Sequence, residues 1–135
     1  MRAQFLIVDD SHIVRQGLRA ILQANPEWEV CGEANDGFSA VEMFKELGPS
    51  FVIMDFQMPG MNGIECARRI LAIAPAVPIV MFTQHASLEL EQHAMEAGIQ
   101  VVVSKADTFS MIGVIEALLE PSDPISTAEQ ESGEG

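Results

Sequence analysis

The sequence predicts an α/β fold: a doubly wound, five-stranded parallel sheet with helices on both faces, in (βα)5 order. Two observations lead to this prediction. Five short apolar runs recur at regular intervals, and the segments between them carry apolar residues at helical spacing. The runs are mostly continuous rather than alternating, which is typical of strands buried on both faces of a parallel sheet. Short, right-handed connections between such strands produce the open, doubly wound arrangement.

The apolar runs give the positions of the strands. Four of them lie at residues 5–8, 51–54, 79–82 and 101–103. The run that comes second along the chain is much weaker, because it contains only Val30 and Cys31 between two charged neighbours, Glu29 and Glu33. A strand with such flanks tolerates partial exposure. We therefore predict that it lies at the edge of the sheet.

The segments between the runs give the helices. The first predicted helix has an apolar face made of Val14, Leu18, Ile21 and Leu22. Ser11 is its predicted N-cap, and Asn25-Pro26 ends it. The later helices are predicted at about residues 38–47, 62–74, 87–97 and 108–120.

The apolar pattern ends at Pro121. Residues 121–135 contain four acidic residues, no Lys or Arg, and Ile125 as their aliphatic anchor. We therefore predict a single domain over residues 1–120, followed by a flexible acidic tail or a truncated linker over residues 121–135.

Composition excludes several classes of function. The chain has 7 basic and 20 acidic residues, a formal charge of −13, so its surface repels nucleic acid phosphates and direct DNA contact is not expected. No apolar stretch approaches the ~20 residues that span a bilayer, and no signal peptide is evident. The prediction is a cytoplasmic protein without membrane contact.

Polar residues follow four of the predicted strands. The first strand is followed by Asp9 and Asp10, the third by Asp55, and the fourth by Thr83; Lys105 comes shortly after the fifth. The carboxyl ends of parallel strands meet at one edge of the sheet, where ligands bind in this architecture. We therefore expect three carboxylates, a hydroxyl and an ammonium in one crevice.

This group of residues points to phosphoryl chemistry. Three adjacent carboxylates repel one another unless a cation joins them, and hard oxygen ligands suit Mg²⁺. A metal ion and an ammonium together offset the negative charge of a phosphoryl transfer transition state. One carboxylate can act as the nucleophile and form an acyl phosphate. Thr83 and Lys105 can each bind a phosphoryl oxygen.

The motifs in which these residues lie resemble those of receiver domains from bacterial two-component response regulators, with a flavodoxin-like fold. The resemblance covers about residues 3–120, and its motifs are Val8-Asp9-Asp10-Ser11, Met54-Asp55, Met58-Pro59-Gly60-Met61-Asn62-Gly63, Phe82-Thr83 and Lys105. Three further stretches look like the receivers attached to LuxR-type helix-turn-helix outputs: Val14-Arg15-Gln16-Gly17-Leu18, Gly32-Glu33-Ala34 and Asp36-Gly37.

The resemblance implies a role for each acidic residue. Asp55 matches the residue that accepts the phosphoryl group, and Asp9 and Asp10 match the acidic pair. Asp10, Asp55 and the backbone carbonyl of Gln57 would hold Mg²⁺, whereas Asp9 would act chiefly through a metal-bound water.

The resemblance also implies partners and a switch. Thr83 matches the switch hydroxyl, and Lys105 matches the lysine that pairs with the phosphoryl group. The donor would be a sensor histidine kinase, and phosphorylation would reshape the face of the fourth helix, fifth strand and fifth helix. Such a domain catalyses only its own phosphorylation and dephosphorylation. A DNA-binding output domain would then be missing from this chain.

Three positions are of note against the family pattern, and one of them, Gln57, lies two places beyond Asp55 at a position that tunes dephosphorylation. Val102 stands where the family usually has an aromatic switch residue, so we expect a different or weaker coupling to partners. Gln84 stands where the family usually has a small residue, and its longer side chain is expected to narrow access to Asp55.

The fifth predicted helix is apolar on nearly all sides. Only Ser110, Glu116 and Glu120 are clearly polar within it, although an isolated domain covers just one helix face. We therefore expect self-association through this helix; deeper burial within the domain is the alternative.

Three other functions compete with a phosphorylated switch. A degenerate receiver would serve as a protein-binding adaptor without phosphorylation. A Mg²⁺-dependent phosphatase with an aspartyl nucleophile commonly has a second acid two residues beyond it, where this chain has Gln57. A flavodoxin-like electron carrier would need a hydroxyl-rich phosphate loop after the first strand, which this sequence lacks.

Overall fold

The computed structural model describes residues 2–120, and in that range strands and helices alternate along the chain. The five strands are β1 (Ala3–Val8), β2 (Trp28–Ala34), β3 (Phe51–Met54), β4 (Ile79–Thr83) and β5 (Val101–Ser104). All neighbouring pairs are parallel, in the order β2-β1-β3-β4-β5. The predicted fold class is therefore confirmed. The predicted tail at residues 121–135 lies outside the described residues.

Within residues 2–120, five helices cover both faces of the sheet; four of them connect successive strands and the fifth follows β5. They are α1 (His12–Gln23), α2 (Gly37–Leu47), α3 (Gly63–Ile73), α4 (Leu88–Ala97) and α5 (Thr108–Leu119). The first four begin at side chains that accept a hydrogen bond from a backbone N–H in the first turn: Ser11, Asp36, Asn62 and Ser87. Within residues 2–120, no helix is both long and apolar enough to cross a membrane.

The sheet separates two apolar cores. Phe5 and Ile7 of β1 face α1 and α5, whereas Leu6 and Val8 face the side of α2, α3 and α4. Because both faces are covered, successive residues of one strand must all be apolar. This burial explains why the runs at residues 5–8, 51–54, 79–82 and 101–103 are continuous and why polar residues come at or after their ends.

Strand β2 differs from its prediction in length. It lies at the edge of the sheet, as expected, but it has seven residues rather than two. Its pairing with β1 shifts from Phe5↔Val30 to Leu6↔Gly32, so Cys31 is the extra residue of a β-bulge. Glu33 remains in the strand because Arg15 and Arg19 of α1 pair with its carboxylate.

Helix α5 is covered on one side only. Its fully buried side chains are Met111 and Ile115, whereas Phe109 is 99% exposed. The flanking apolar residues Ile112 and Val114 are half-buried against the core. Within the described part of the chain, the domain therefore buries a narrow stripe of this helix and leaves an apolar surface outside.

Candidate functional site

The carboxyl ends of four strands bring the polar residues together at one edge of the sheet. Asp9 follows β1 and Asp55 follows β3, and these two strands are neighbours in the sheet. Thr83 is the last residue of β4 rather than the residue after it, and its backbone carbonyl accepts a 2.9 Å hydrogen bond from the Lys105 N–H. This bond fixes the start of the turn that carries Lys105.

The Lys105 ammonium lies between two buried carboxylates. Its Nζ is 2.8 Å from Asp9 Oδ2 and 3.1 Å from Asp55 Oδ2. Asp9 is 2% exposed and Asp55 is 6% exposed, whereas Asp10 is exposed to solvent. Lys105, Asp9 and Asp55 therefore form one contact network, and the Asp10 carboxylate lies outside it.

The ionisation of this network follows from burial and charge. Burial raises the pKa of Asp9, and the hydrogen bond from Lys105 opposes that effect without cancelling it. Burial alone would lower the pKa of Lys105, but the hydrogen bond with Asp9 and the charge of Asp55 more than offset it, so the pKa is raised. Lys105 is therefore charged, and its single ammonium faces the two buried carboxyl groups of Asp9 and Asp55.

Charge and donor chemistry at the site fit Mg²⁺. Asp9, Asp10 and Asp55 each offer a carboxylate oxygen, and these oxygens lie within 4.8 Å of one another. Lys105 supplies one positive charge against three carboxylates, which leaves an excess of negative charge that a divalent ion would offset. The oxygen donors are of the hard type that Mg²⁺ prefers.

Backbone amides hold one oxygen of each buried carboxylate. Asp9 Oδ1 accepts a hydrogen bond of 2.8 Å from the Ser11 N–H, and Asp55 Oδ1 accepts one of 2.7 Å from the Phe56 N–H. The Oδ2 atom of each residue is the one that contacts Lys105. The two oxygens of Asp55 are therefore inequivalent, with Oδ2 next to the ammonium.

Gly63 is a residue of the site that sequence reasoning treated only as part of a motif. Its N–H donates a 2.7 Å hydrogen bond to the Phe56 carbonyl, which brings the start of α3 against the residue after Asp55. A Cβ at this position would overlap the backbone carbonyl oxygen of Asp55. Glycine is therefore required by close approach, which no local sequence pattern reveals.

A cavity of about 500 Å³ opens over the carboxylates. Asp10, Asp55 and Lys105 form part of its lining, together with Gln57, Gln84 and His85. Gln84 and His85 are both exposed, so they lie at the rim. The Thr83 side chain is fully buried, and its Oγ1 accepts a 3.2 Å hydrogen bond from the His85 N–H.

Val102 occupies a place in the sheet beside the site. It pairs with Met81 of β4 and packs, half-buried, against the core on the side of α2, α3 and α4. A short branched side chain in this packing has no ring to move between two positions. Because valine replaces the usual aromatic residue of the family at this position, the domain has no ring here that could move with Thr83.

The chain belongs to the response regulator receiver domain family, whose pattern matches residues 5–131. Receiver domains of this family act in two-component signal transduction, so the resemblance noted in the sequence is confirmed. The matched family is that of receiver domains, and it is neither a phosphatase family nor a family of electron carriers.

Among curated relatives, the protein-glutamate methylesterase/protein-glutamine glutaminase of Pyrococcus abyssi is 37% identical over 125 residues, covering 93% of this chain and 30% of that protein. The transcriptional regulatory protein DegU of Brevibacillus brevis is 32% identical over 97 residues, covering 72% of this chain and 41% of that protein. The chain thus spans less than half of the length of these relatives.

Solved structures agree with the family. A LuxR family two-component response regulator from Aurantimonas has a TM-score of 0.85 at 34% identity, covering 96% of this chain and 98% of that one. The response regulator domain of Thermotoga maritima CheB has a TM-score of 0.83 at 26% identity, covering 91% and 100%. Receivers with two different kinds of output are therefore similar to this chain.

Replacing Gly63 with alanine is expected to lower the free energy of unfolding by about 1–3 kcal/mol, because the new methyl group overlaps the Asp55 carbonyl oxygen. Gly113→Ala is the matched control, since no heavy atom lies within 4 Å of a Cβ there and helix propensity should raise stability by about 0.5–1 kcal/mol. Urea unfolding followed by Trp28 fluorescence measures both. Equal stability of the two variants would contradict the close approach.

Proposed function

We propose that this domain accepts a phosphoryl group on Asp55 from a sensor histidine kinase, in a reaction that requires Mg²⁺, and thereby switches its protein contacts. The observation that carries the proposal is the ammonium of Lys105, which lies 3.1 Å from Asp55 Oδ2 beneath an open cavity. Membership of the receiver family supports the same reaction.

Asp10, Asp55 and the backbone carbonyl of Gln57 would hold the magnesium ion, with Asp9 acting chiefly through a bound water. When bound, the ion offsets the negative charge of the phosphoryl oxygens during transfer. Asp9, Asp10 and Asp55 already place oxygens within 4.8 Å of one another, which supports this assignment.

Asp55 would act as the nucleophile through Oδ2, because Oδ1 accepts the hydrogen bond from the Phe56 N–H. A bond forms between Oδ2 and phosphorus while the bond from phosphorus to the donor's histidine nitrogen breaks; the nitrogen keeps that electron pair. Lys105 then pairs with a phosphoryl oxygen rather than with the free carboxylate. The chain would catalyse this transfer and the later hydrolysis, in which water attacks phosphorus, inorganic phosphate leaves and Asp55 regains its carboxylate; it would catalyse no metabolic reaction.

Thr83 would report the phosphorylated state by donating its hydroxyl to a phosphoryl oxygen. In the described structure Thr83 Oγ1 accepts a hydrogen bond from the His85 N–H. Reorientation of the Thr83 side chain would therefore alter the loop after β4. Because Val102 has no ring to follow the movement of Thr83, we propose that the loop at Gln84 and His85 carries the change to partners.

The Asp55→Asn variant is expected to accept no phosphoryl group, because an amide is not a competent nucleophile. Incubation with acetyl phosphate and Mg²⁺, followed by mass spectrometry of the intact chain, measures this. The parent chain and a control variant, Asp107→Asn, should both be modified, and chelation of Mg²⁺ should prevent it. If no donor modifies the parent chain, the adaptor alternative is favoured.

Gln84→Ala is expected to speed both phosphorylation by small donors and loss of the phosphoryl group by roughly threefold to tenfold, about 1 kcal/mol in barrier height. The reason is access, since Gln84 lies at the cavity rim. Phosphate release after acetyl phosphate treatment measures the second rate. Gln92 is an exposed glutamine on α4, and the control variant Gln92→Ala should leave both rates unchanged. If Gln84→Ala also leaves both rates unchanged, the role of access is contradicted.

We further propose that α5 mediates self-association, since Phe109 is 99% exposed beside half-buried Ile112. The formal charge of −13 opposes association, so raising the salt concentration should strengthen it. Phe109→Ser should weaken the dimer by about tenfold or more in dissociation constant, whereas Ile73→Ser, at a 45% exposed site on α3, should not. Light scattering that finds a strict monomer with and without beryllofluoride would exclude this contact.

We propose that the output controlled by this receiver is performed by another protein or another protein segment, and not by the receiver domain itself. Direct nucleic acid contact by this domain is not proposed, because its charge repels phosphates. The name of the DegU relative supports a transcriptional output, in which a DNA-binding domain would perform the contact.

A further inference from the structure

Two charged residues of the sequence motifs have no role in the proposed phosphorylation. Arg15 lies in the first turn of α1, and Glu33 lies near the end of β2. The structure connects both of them to the acidic loop, which is formed by residues 9–11 between β1 and α1. Arg15 donates from Nη1 to the backbone carbonyl oxygen of Asp9 at 2.7 Å and from Nε to Glu33 Oε1 at 3.0 Å.

The β-bulge at Cys31 explains why Glu33 faces α1. Trp28 and Val30 pack into the core on the side of α1 and α5, and regular alternation would put Gly32 on that face next. The extra residue shifts the alternation by one, so Gly32 instead approaches side chains of α2. Glu33 then points to the helix that carries Arg15.

Glu33 is itself held from two sides. Arg19, one turn further along α1, donates from Nε to Glu33 Oε2 at 2.6 Å. Burial acts to raise the pKa of Glu33, but the hydrogen bonds from Arg19 and Arg15 outweigh it, so the pKa is lowered and the carboxylate stays charged. The Arg15 side chain is only 15% exposed, and the ion pair therefore orients its guanidinium in a partly dry setting.

The carbonyl that Arg15 contacts belongs to the peptide bond between the two acidic residues. Asp9 is anchored by its N–H, which donates to the Ala34 carbonyl at 3.0 Å, and by contacts of its carboxylate. Asp10 differs, because within residues 2–120 no hydrogen bond or ion pair holds its carboxylate. The orientation of the Asp9–Asp10 peptide plane therefore determines where the Asp10 side chain begins.

We propose that Arg15 is a positioning residue that fixes the Asp9–Asp10 peptide and so sets the spacing of the metal-binding carboxylates, with Glu33 as the fixed anchor of its guanidinium. This inference rests on the proposed function, since it concerns the affinity of the same site for Mg²⁺. Arg15 acts through the peptide and contacts neither the phosphoryl group nor the carboxylate oxygens of the acidic pair.

The positive charge of Arg15 and its hydrogen bond to the Asp9 carbonyl predict opposite effects of its loss on Mg²⁺ affinity. Removing a positive charge near three carboxylates would by itself tighten Mg²⁺ binding, although salt screens this effect over about 8 Å at physiological ionic strength. Losing the hydrogen bond would loosen the peptide and weaken binding. Residues that orient metal ligands typically contribute ~10- to 100-fold in affinity, and we expect the lower end because Arg15 acts through a backbone carbonyl.

The test is calorimetric titration of Mg²⁺ into the unphosphorylated full chain, with Arg15→Ala, Arg15→Lys and Arg19→Ala compared with the parent. Arg19→Ala is the matched control, because it removes the same charge from the same helix and the same carboxylate but has no contact with Asp9. Urea unfolding of each variant, followed by Trp28 fluorescence, separates loss of Mg²⁺ affinity from loss of stability.

Arg15→Ala should raise the dissociation constant for Mg²⁺ about tenfold, Arg15→Lys should restore part of the affinity, and Arg19→Ala should stay within about twofold of the parent. With acetyl phosphate as donor, the Mg²⁺ concentration that gives half-maximal phosphorylation of Arg15→Ala should also rise about tenfold, while its rate at saturating Mg²⁺ should equal that of the parent.

Equal affinities in Arg15→Ala and Arg19→Ala would overturn the positioning role and leave the proposed function intact. The positioning role is overturned as well if Arg15→Ala binds Mg²⁺ more tightly than the parent, since charge alone would then explain the result. A parent chain that binds no Mg²⁺ would overturn the proposed function and this inference together.

Discussion

One ammonium shared by two buried carboxylates is the interaction on which the site depends. Asp9 and Asp55 lie at the ends of adjacent strands, where the topology of the parallel sheet forces them together. Burial of two carboxylates is tolerable only with compensation, which comes from Lys105 and from backbone N–H donors at Ser11 and Phe56. This compensation is incomplete, and the remaining negative charge is what makes the site suited to a divalent ion.

The rest of the fold keeps this geometry rigid. Both faces of the sheet are covered, so β1 and β3 have no freedom to slide without exposing apolar side chains to water. Gly63 locks the start of α3 against the segment that follows Asp55. By contrast, the loop with Gln84 and His85 is exposed at the rim. A rigid acidic centre beside an exposed loop is an arrangement suited to the proposed switch.

Sequence patterns predict the part of the structure that depends on local composition. Continuous apolar runs identify the buried strands, and the polar residues at or shortly after the ends of four runs indicate the candidate site, because strand ends converge in any parallel sheet. The patterns fail where long-range contacts decide. Glu33 interrupts the apolar pattern of β2, but two arginines of α1 form ion pairs with its carboxylate. Gly63 is needed only because the Asp55 carbonyl approaches it in space. Neither contact leaves a periodic signal along the chain.

Asp9 emerges as the residue through which two sides of the domain meet. Its carboxylate contacts Lys105 from the β5 side, and its backbone carbonyl contacts Arg15 from the α1 side. Each cation acts on a different part of Asp9. Lys105 offsets the charge of its carboxylate, and Arg15 holds its carbonyl and so the direction of the chain leading to Asp10. Because Glu33 fixes Arg15, an irregularity in the edge strand β2 is connected through two hydrogen bonds to the acidic loop. The edge strand is therefore part of the support of the site, although no residue of β2 lines its cavity.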